Sequence, residues 1–185
     1  MYFNNETVLY LDGKFVKASE STTDLYGQTL HYGYGAFEGI RSYETEHGTK
    51  VFKAEEHYER LKKSCELVKI PLDYTVQELV EATYELLEKN NLKNAYIRPL
   101  VYCAPNMSLT KPTSVSLMIA VWDWGAYLGE EGLRKGVRVK ISSFTRTPNT
   151  SGMGKAKAVA NYLNSQMAKF EAVEAGYDEA LLRDD

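Results

Sequence analysis

Residues 95–103 read Ala95-Tyr96-Ile97-Arg98-Pro99-Leu100-Val101-Tyr102-Cys103, and with Ser114–Val121 they form the two longest strand candidates in the chain. Val115, Leu117, Ile119 and Val121 alternate with smaller or polar residues. Met118 and Ala120 make the second face apolar as well, so the reading is a strand covered on both sides. Working outward toward the N-terminus, 76–90 carries a helical stripe of Val76, Leu79, Val80, Thr83 and Leu87. It follows Thr75-Val76-Gln77-Glu78, which has the form of a capping box, and Asn90-Asn91 stops it. Tyr58, Leu61, Cys65 and Val68 place a second helix at 55–69, ended by Pro71. Ala36–Thr45 and Thr49–Lys53 flank His47-Gly48 as a hairpin. Thr7–Leu11 and Lys14–Val16 flank Asp12-Gly13 as another. Toward the C-terminus, 125–135 is a loop or short helix with a charge cluster, and 137–143 is a strand. A polar loop at 148–154 precedes a helix from about Ala158 to Ala175, whose inner stripe reads Ala160, Leu163, Met167 and Phe170. Gly176 closes that helix, and Glu179–Leu182 begins a further strand. Strands and helices thus mix along the chain without repeats.

Composition narrows the function. The chain has 185 residues, 44% hydrophobic and 25% charged, with 22 Lys and Arg against 25 Asp and Glu for a formal charge of -3. A nucleic-acid binder needs a basic face, and a polybasic membrane anchor needs a cationic cluster. No apolar run reaches the ~20 residues that span a bilayer. The expectation is therefore a cytoplasmic protein with no nucleic-acid or membrane partner. Cys65 and Cys103 sit in apolar patterns and read as reduced core thiols. Three histidines and no C-x-x-C pair leave no metal site to expect.

Five segments carry residues suited to chemistry. In Leu30-His31-Tyr32-Gly33-Tyr34-Gly35-Ala36-Phe37-Glu38-Gly39-Ile40-Arg41, three glycines among aromatics suggest a backbone that approaches something closely; the alternative is a bulged strand packing on a core. This is not a phosphate loop, because the G-x-x-x-x-G-K-[ST] pattern is absent. Arg60 lies on a helix face with His57 and Ser64, where a guanidinium can grip a phosphate; the alternative is a solvated helix face. Tyr96 and Arg98 point to one side of their strand and together suit a carboxylate; the alternative is a cross-strand pair at a sheet surface. Trp122-Asp123-Trp124-Gly125-Ala126-Tyr127 is a pocket wall or a core edge. Lys155-Ala156-Lys157-Ala158-Val159-Ala160-Asn161-Tyr162 surrounds lysines with small apolar residues. Partial desolvation there would make a neutral, nucleophilic amine available; the alternative is an exposed lysine at a helix start. The pattern does not decide between Lys155 and Lys157.

In that order, these blocks resemble the branched-chain amino-acid aminotransferases of class IV, the D-amino-acid/branched-chain group of pyridoxal-phosphate enzymes. The blocks are His31–Gly33 with Phe37–Arg41, His57–Leu61, Ala95–Leu100, Trp124–Leu128, and Lys157-Ala158 with Asn161–Ser165. The resemblance runs over nearly the whole chain. It implies a two-domain α+β fold, with a small N-terminal α/β sandwich at 1–128 and a linker plus the first part of the cofactor domain at 129–185. It implies Lys157 as the lysine bonded to pyridoxal 5'-phosphate, Arg60 at the cofactor phosphate, and Tyr162 near the cofactor ring oxygen. Phe37, Gly39 and Trp124 become walls of the pocket for Val, Leu and Ile side chains. Tyr96 assists the substrate carboxylate. Arg98 and Tyr32 admit the side-chain carboxylate of glutamate, Tyr32 from a neighbouring subunit, and Tyr127 is a weaker candidate of that kind.

The implied activity is transamination between branched-chain L-amino acids and 2-oxoglutarate, in a dimer or larger homo-oligomer. Amino acids and 2-oxo acids are the small-molecule partners. Lys157 would take the substrate α-proton and return it at the cofactor carbon, with the ring as electron sink. Two features depart from the family. Val159-Ala160 stands where many relatives carry a glycine, which alters packing more than chemistry. The family's acidic partner of the ring nitrogen and its later phosphate loops fall beyond Asp185, so the expectation is an incomplete chain that does not by itself hold an activated cofactor. Rival readings are a D-amino-acid transaminase or an aminodeoxychorismate lyase on the same fold, or a cofactor-free module that dimerises or binds a partner.

Overall fold

Asp12 and Gly13, both at positive φ, turn β1 (Val8–Leu11) back into β2 (Lys14–Lys17). The computed structural model describes residues 2–125, 129–148, 150 and 153–184. The chain continues through α1 (Gln28–Tyr32), β3 (Gly35–Phe37), β4 (Ile40–Thr45) and β5 (Gly48–Val51). Then come α2 (Ala54–Leu67), α3 (Val76–Lys89), β6 (Ala95–Cys103) and β7 (Val115–Trp122). Last are α4 (Gly129–Lys135), β8 (Val139–Thr145), α5 (Tyr162–Glu174) and β9 (Glu179–Arg183). The expected α+β character holds. An antiparallel sheet runs in the order β2-β1-β7-β6-β4-β5, with β3 sharing the edge of β6 with β4, and β8 pairs with β9 in parallel as a separate sheet.

β6 and β7 form the spine, pairing from Tyr96–Trp122 to Cys103–Val115. One face of this spine is sealed. Ile97, Val101, Leu117, Ile119 and Val121 pack with Tyr58, Leu61 and Cys65 of α2 and with Leu79, Leu86 and Leu87 of α3. Each fully buried Leu contributes about 1.5–3 kcal/mol relative to exposure. The capping box forms as its sequence predicts: the Glu78 N–H donates to Thr75 Oγ1 at 3.2 Å, and the Thr75 N–H donates to Glu78 Oε2 at 2.7 Å. The other face, with Tyr96, Arg98 and Trp122, is only half covered, so β7 is not sealed on both sides.

Three expectations shift. α2 ends at Leu67, ahead of Pro71, because Lys69 already adopts a left-handed backbone with φ 59°. Ala36–Thr45 is interrupted at Glu38-Gly39, although its register against β6 is continuous: Phe37 faces Leu100 and Ile40 faces Ile97. The cause is Pro99. It accepts from the Glu38 N–H at 3.0 Å but has no N–H to return. The α5 stripe is the largest correction. A 3-10 turn at Val159–Asn161 precedes the helix, and Leu163, Met167 and Phe170 are exposed. Ala168 and Ala172 face inward instead. Small residues let α5 close on β8–β9, and polar anchors on that face fix its rotation. The Asn164 side chain donates to the Thr145 carbonyl at 2.8 Å.

Glu171 is the strongest of those anchors. It accepts from Lys140 Nζ at 2.6 Å, from the Ser142 hydroxyl at 2.6 Å and from the Ser143 N–H at 3.0 Å. Those donors, Lys140 first, pull its pKa down to about 2 from 4.5. A depressed carboxylate stabilises the fold above its unfolded pKa, and that contribution is lost as pH falls through the folded value. Wild type should therefore lose more denaturant resistance than Glu171→Gln between about pH 4.5 and about pH 2. Urea midpoints of both proteins across that window check this; parallel curves would refute it. Among the described residues, no helix is long and apolar enough to cross a membrane, and no His, Cys, Asp and Glu group could hold a metal ion.

Candidate active site

Lys157 is delivered by its backbone. Its N–H donates to the Ser64 hydroxyl at 2.9 Å, and its carbonyl accepts from the Phe37 N–H at 3.2 Å. Ala158 bridges Ala36, and the Ala160 N–H donates to the Gly33 carbonyl at 3.2 Å. Residues 157–160 thus lie along the edge of β3 that β6 leaves open. Gly33 does mark a close backbone approach, and what approaches it is this lysine segment. At Gly33, with φ 66°, a Cβ would lie 2.8 Å from the Ala160 Cα. Gly33→Ala should cost about 2–5 kcal/mol, combining left-handed strain of about 1–2 with overpacking of about 1–3. Thermal or urea unfolding measures it, and an unchanged midpoint would refute the docking role.

The Lys157 side chain ends among rings. Nζ donates to the Tyr162 hydroxyl at 2.7 Å and lies 5.1 Å from the Phe37 ring centroid and 5.2 Å from that of Tyr162. Phe37 and Tyr162 meet edge to face at 4.6 Å. Among the described residues, Lys157 has no ion pair. Lys155, by contrast, is exposed.

Arg60 is held by a residue to which the sequence reading assigned no role. Glu38 is fully buried and binds Arg60 in a fork, with Nε donating to Oε1 at 2.5 Å and Nη2 to Oε2 at 2.7 Å. His57 Nδ1 lies 2.9 Å from the same Oε2. Burial by itself would raise the Glu38 pKa, but the hydrogen bonds from Arg60 and His57 outweigh it and hold the carboxyl below its ordinary value. The fork occupies one edge of the guanidinium, and Nη1 has no hydrogen-bond partner among the described residues. Glu38 shares the inward face with Ala36 and Ile40, so its signal was an acid at a core position of an alternating strand. Ser64, expected on a polar face with Arg60, is buried and serves as the Lys157 anchor.

The half-covered sheet face gathers another group. Arg98 donates to the Tyr96 hydroxyl at 2.7 Å and stacks over the Phe37 ring at 4.5 Å, and its Nε is buried without a hydrogen-bond partner. The rings of Trp122 and Trp124 each lie 5.0 Å from that of Tyr96. A Cβ at Gly39 would collide with the Tyr96 hydroxyl. Tyr32 is placed differently: its hydroxyl donates to the Met107 carbonyl at 2.9 Å and its ring tilts against His31. Tyr127 lies outside the described residues.

Arg60, Lys157 and Tyr162 line one cavity of about 310 Å³ together with Arg146, Lys155 and Asn161. Four of its described lining residues are cationic and none is a carboxylate, so the cavity suits an anionic ligand beside a nucleophilic amine. Residues 35–185 match the model of the amino-transferase class IV family. The chain is 41% identical over 183 residues to the branched-chain-amino-acid aminotransferase of Pseudomonas aeruginosa PAO1, covering 98% of this chain and 60% of that protein. It is 38% identical over 180 residues to that of Escherichia coli K12, covering 95% and 58%. It superposes on a crystal structure of the Escherichia coli branched-chain amino acid aminotransferase with TM-score 0.90 and 36% identity, over 97% of this chain and 60% of that one. A crystal structure of the Thermoproteus uzoniensis branched-chain aminotransferase with norvaline gives TM-score 0.89 at 36% identity, over 96% and 60%. The chain spans about 60% of the length of these relatives. With the family model matched over most of its residues, the chain belongs to the class IV aminotransferases.

Proposed function

We propose that the protein transaminates branched-chain L-amino acids with 2-oxoglutarate, using pyridoxal 5'-phosphate. One observation carries the reading: the Lys157 amine, 2.7 Å from the Tyr162 hydroxyl, shares a cationic cavity with Arg60. The relatives' names point to the same substrates. The residues present fit the cofactor. Arg60 would hold its phosphate, Lys157 would bond to it, and Tyr162 would lie near its ring oxygen. When bound, the group supplies the electron sink for chemistry at the amino acid's Cα.

The chain's own residues do the rest. Lys157 Nζ takes the α-proton and returns it, with Tyr162 Oη orienting the amine. Phe37, Gly39 and Trp124 bound an apolar side-chain pocket, while Tyr96 and Arg98 supply a phenol and a guanidinium for a carboxylate. One pocket then serves both a branched chain and glutamate. The division into two sheets supports a boundary near residue 128, with 129–185 belonging to a cofactor-binding domain.

We also read the protein as a cytoplasmic homo-oligomer, a dimer at least. Cys65 and Cys103 are buried free thiols. Leu25, Tyr26, Leu30, Met107 and Leu109 expose an apolar surface around Tyr32. The loop there is pinned: Gln28 Nε2 donates to the Ser108 and Thr110 carbonyls at 3.0 Å. A built, exposed apolar surface of this kind marks an interface.

The deciding experiment incubates the protein, at the full length of its relatives, with pyridoxal phosphate and 2-oxoglutarate, offering L-leucine or D-alanine in parallel. Glutamate formed from L-leucine supports the reading. Turnover of D-alanine alone would transfer the assignment to a D-amino-acid transaminase, and turnover of neither would overturn it.

A further inference from the structure

We infer that Arg41 is a positioning residue that holds the backbone behind Trp124 and so fixes the wall of the side-chain pocket; this rests on the reading of the pocket given under Proposed function. Arg41 stands on β4 directly opposite Tyr96 of β6. Its Nη2 donates to the Trp124 carbonyl at 2.5 Å and to the Gly125 carbonyl at 3.2 Å. It forms no ion pair among the described residues. Its charge is therefore directed at two main-chain oxygens, and hydrogen bonds from an ionised donor are about twice as strong as neutral ones.

The location gives this contact its consequence. β7 ends at Trp122, so strand pairing no longer restrains the backbone at 124 and 125. The Trp124 ring, however, must sit 5.0 Å from that of Tyr96, whose hydroxyl receives Arg98 and closes against Gly39. Arg41 thus adds, from a rigid neighbouring strand, a restraint on the backbone beyond the end of the ladder. Two arginines bracket Tyr96: Arg98 holds its hydroxyl from its own strand, and Arg41 holds the backbone of the tryptophan that meets its ring edge to face. A wall held this way governs how closely an apolar side chain is gripped, and it leaves the proton-transferring amine untouched.

The test compares wild type, Arg41→Met and Arg41→Lys in two arms. In the first, with bound pyridoxal phosphate, the Arg41→Met KM for L-leucine should rise about tenfold, the scale on which pockets sense a methylene or two. The kcat should stay within about twofold and the KM for L-alanine should change little. Arg41→Lys, which keeps one donor, should fall between. In the second arm, the cofactor-free proteins are compared by tryptophan emission and acrylamide quenching, since the chain's 2 tryptophans are Trp122 and Trp124. Arg41→Met should emit to the red and quench more readily, with Arg41→Lys again intermediate. Equal KM increases for leucine and alanine, a fall confined to kcat, or unchanged quenching would overturn the role. If wild type turns over no branched-chain substrate, the functional reading fails instead, and the quenching arm decides the clamp by itself.

Discussion

Lys157→Ala is expected to abolish leucine-dependent formation of glutamate from 2-oxoglutarate, by at least about a thousandfold, the scale of a positioned acid–base group. The fold should survive. The side chain is half-buried and forms no ion pair among the described residues, so its loss falls near the roughly ±0.5 kcal/mol of a peripheral substitution. The segment's placement comes from the Ser64, Phe37 and Gly33 backbone contacts, which alanine keeps. Lys157→Arg should be as inactive as alanine. A guanidinium retains the positive charge but does not release a proton near neutral pH, so this variant separates electrostatics from proton transfer. Borohydride reduction in the presence of pyridoxal phosphate, followed by peptide mapping, gives an independent readout. Wild type should carry the label on Lys157, and both variants should lose it. Substantial turnover in either variant, or a label on Lys155, would overturn the assignment of the amine.

Much of the fold was legible because short-range rules and long-range packing agree in it. The Asp12-Gly13 turn, the Thr75–Glu78 cap and the alternation of β6 and β7 each form where local chemistry places them. The α5 stripe failed for a reason periodicity cannot see. Both faces of 162–174 are apolar enough to pack, and the choice fell to Ala168 and Ala172 through the hydrogen bond that Asn164 donates to β8 and those that Glu171 accepts from it. The interruption between β3 and β4 depends on Pro99, some 60 residues away in sequence, meeting Glu38 across the ladder. At the site, the family resemblance pointed to Lys157, Tyr162 and Arg60, which do share a cavity. It did not reveal what holds them. Ser64 anchors the Lys157 backbone and Glu38 grips Arg60 from a buried position, and such contacts become visible only once distant segments are placed side by side.

Glu38→Gln is expected to weaken the binding of pyridoxal phosphate more than that of pyridoxal. The fork from Nε and Nη2 fixes the Arg60 guanidinium in one plane. Glutamine fills the same volume, but one carboxylate oxygen becomes an N–H group, which cannot accept from Arg60 and faces a donor instead. Leaving a buried polar group unsatisfied costs about 1–3 kcal/mol, and Arg60, half-exposed at its own side chain, is freed to turn toward water. The phosphate then loses a pre-oriented partner, while the ring contacts with Tyr162 and Phe37 persist. A loss of about 1.4 kcal/mol at that contact lowers the affinity ratio of the two vitamers tenfold. Titration of both vitamers by absorbance or fluorescence checks this; equal weakening would mean general disruption, and no weakening would mean that Glu38 does not orient Arg60. The stability difference between the two proteins should also depend on pH. The depressed Glu38 carboxyl contributes stability that is complete above its ordinary pKa of about 4.5 and is lost as pH falls through the lower folded value. The gap between wild type and Glu38→Gln should therefore be widest near neutrality and close in acid.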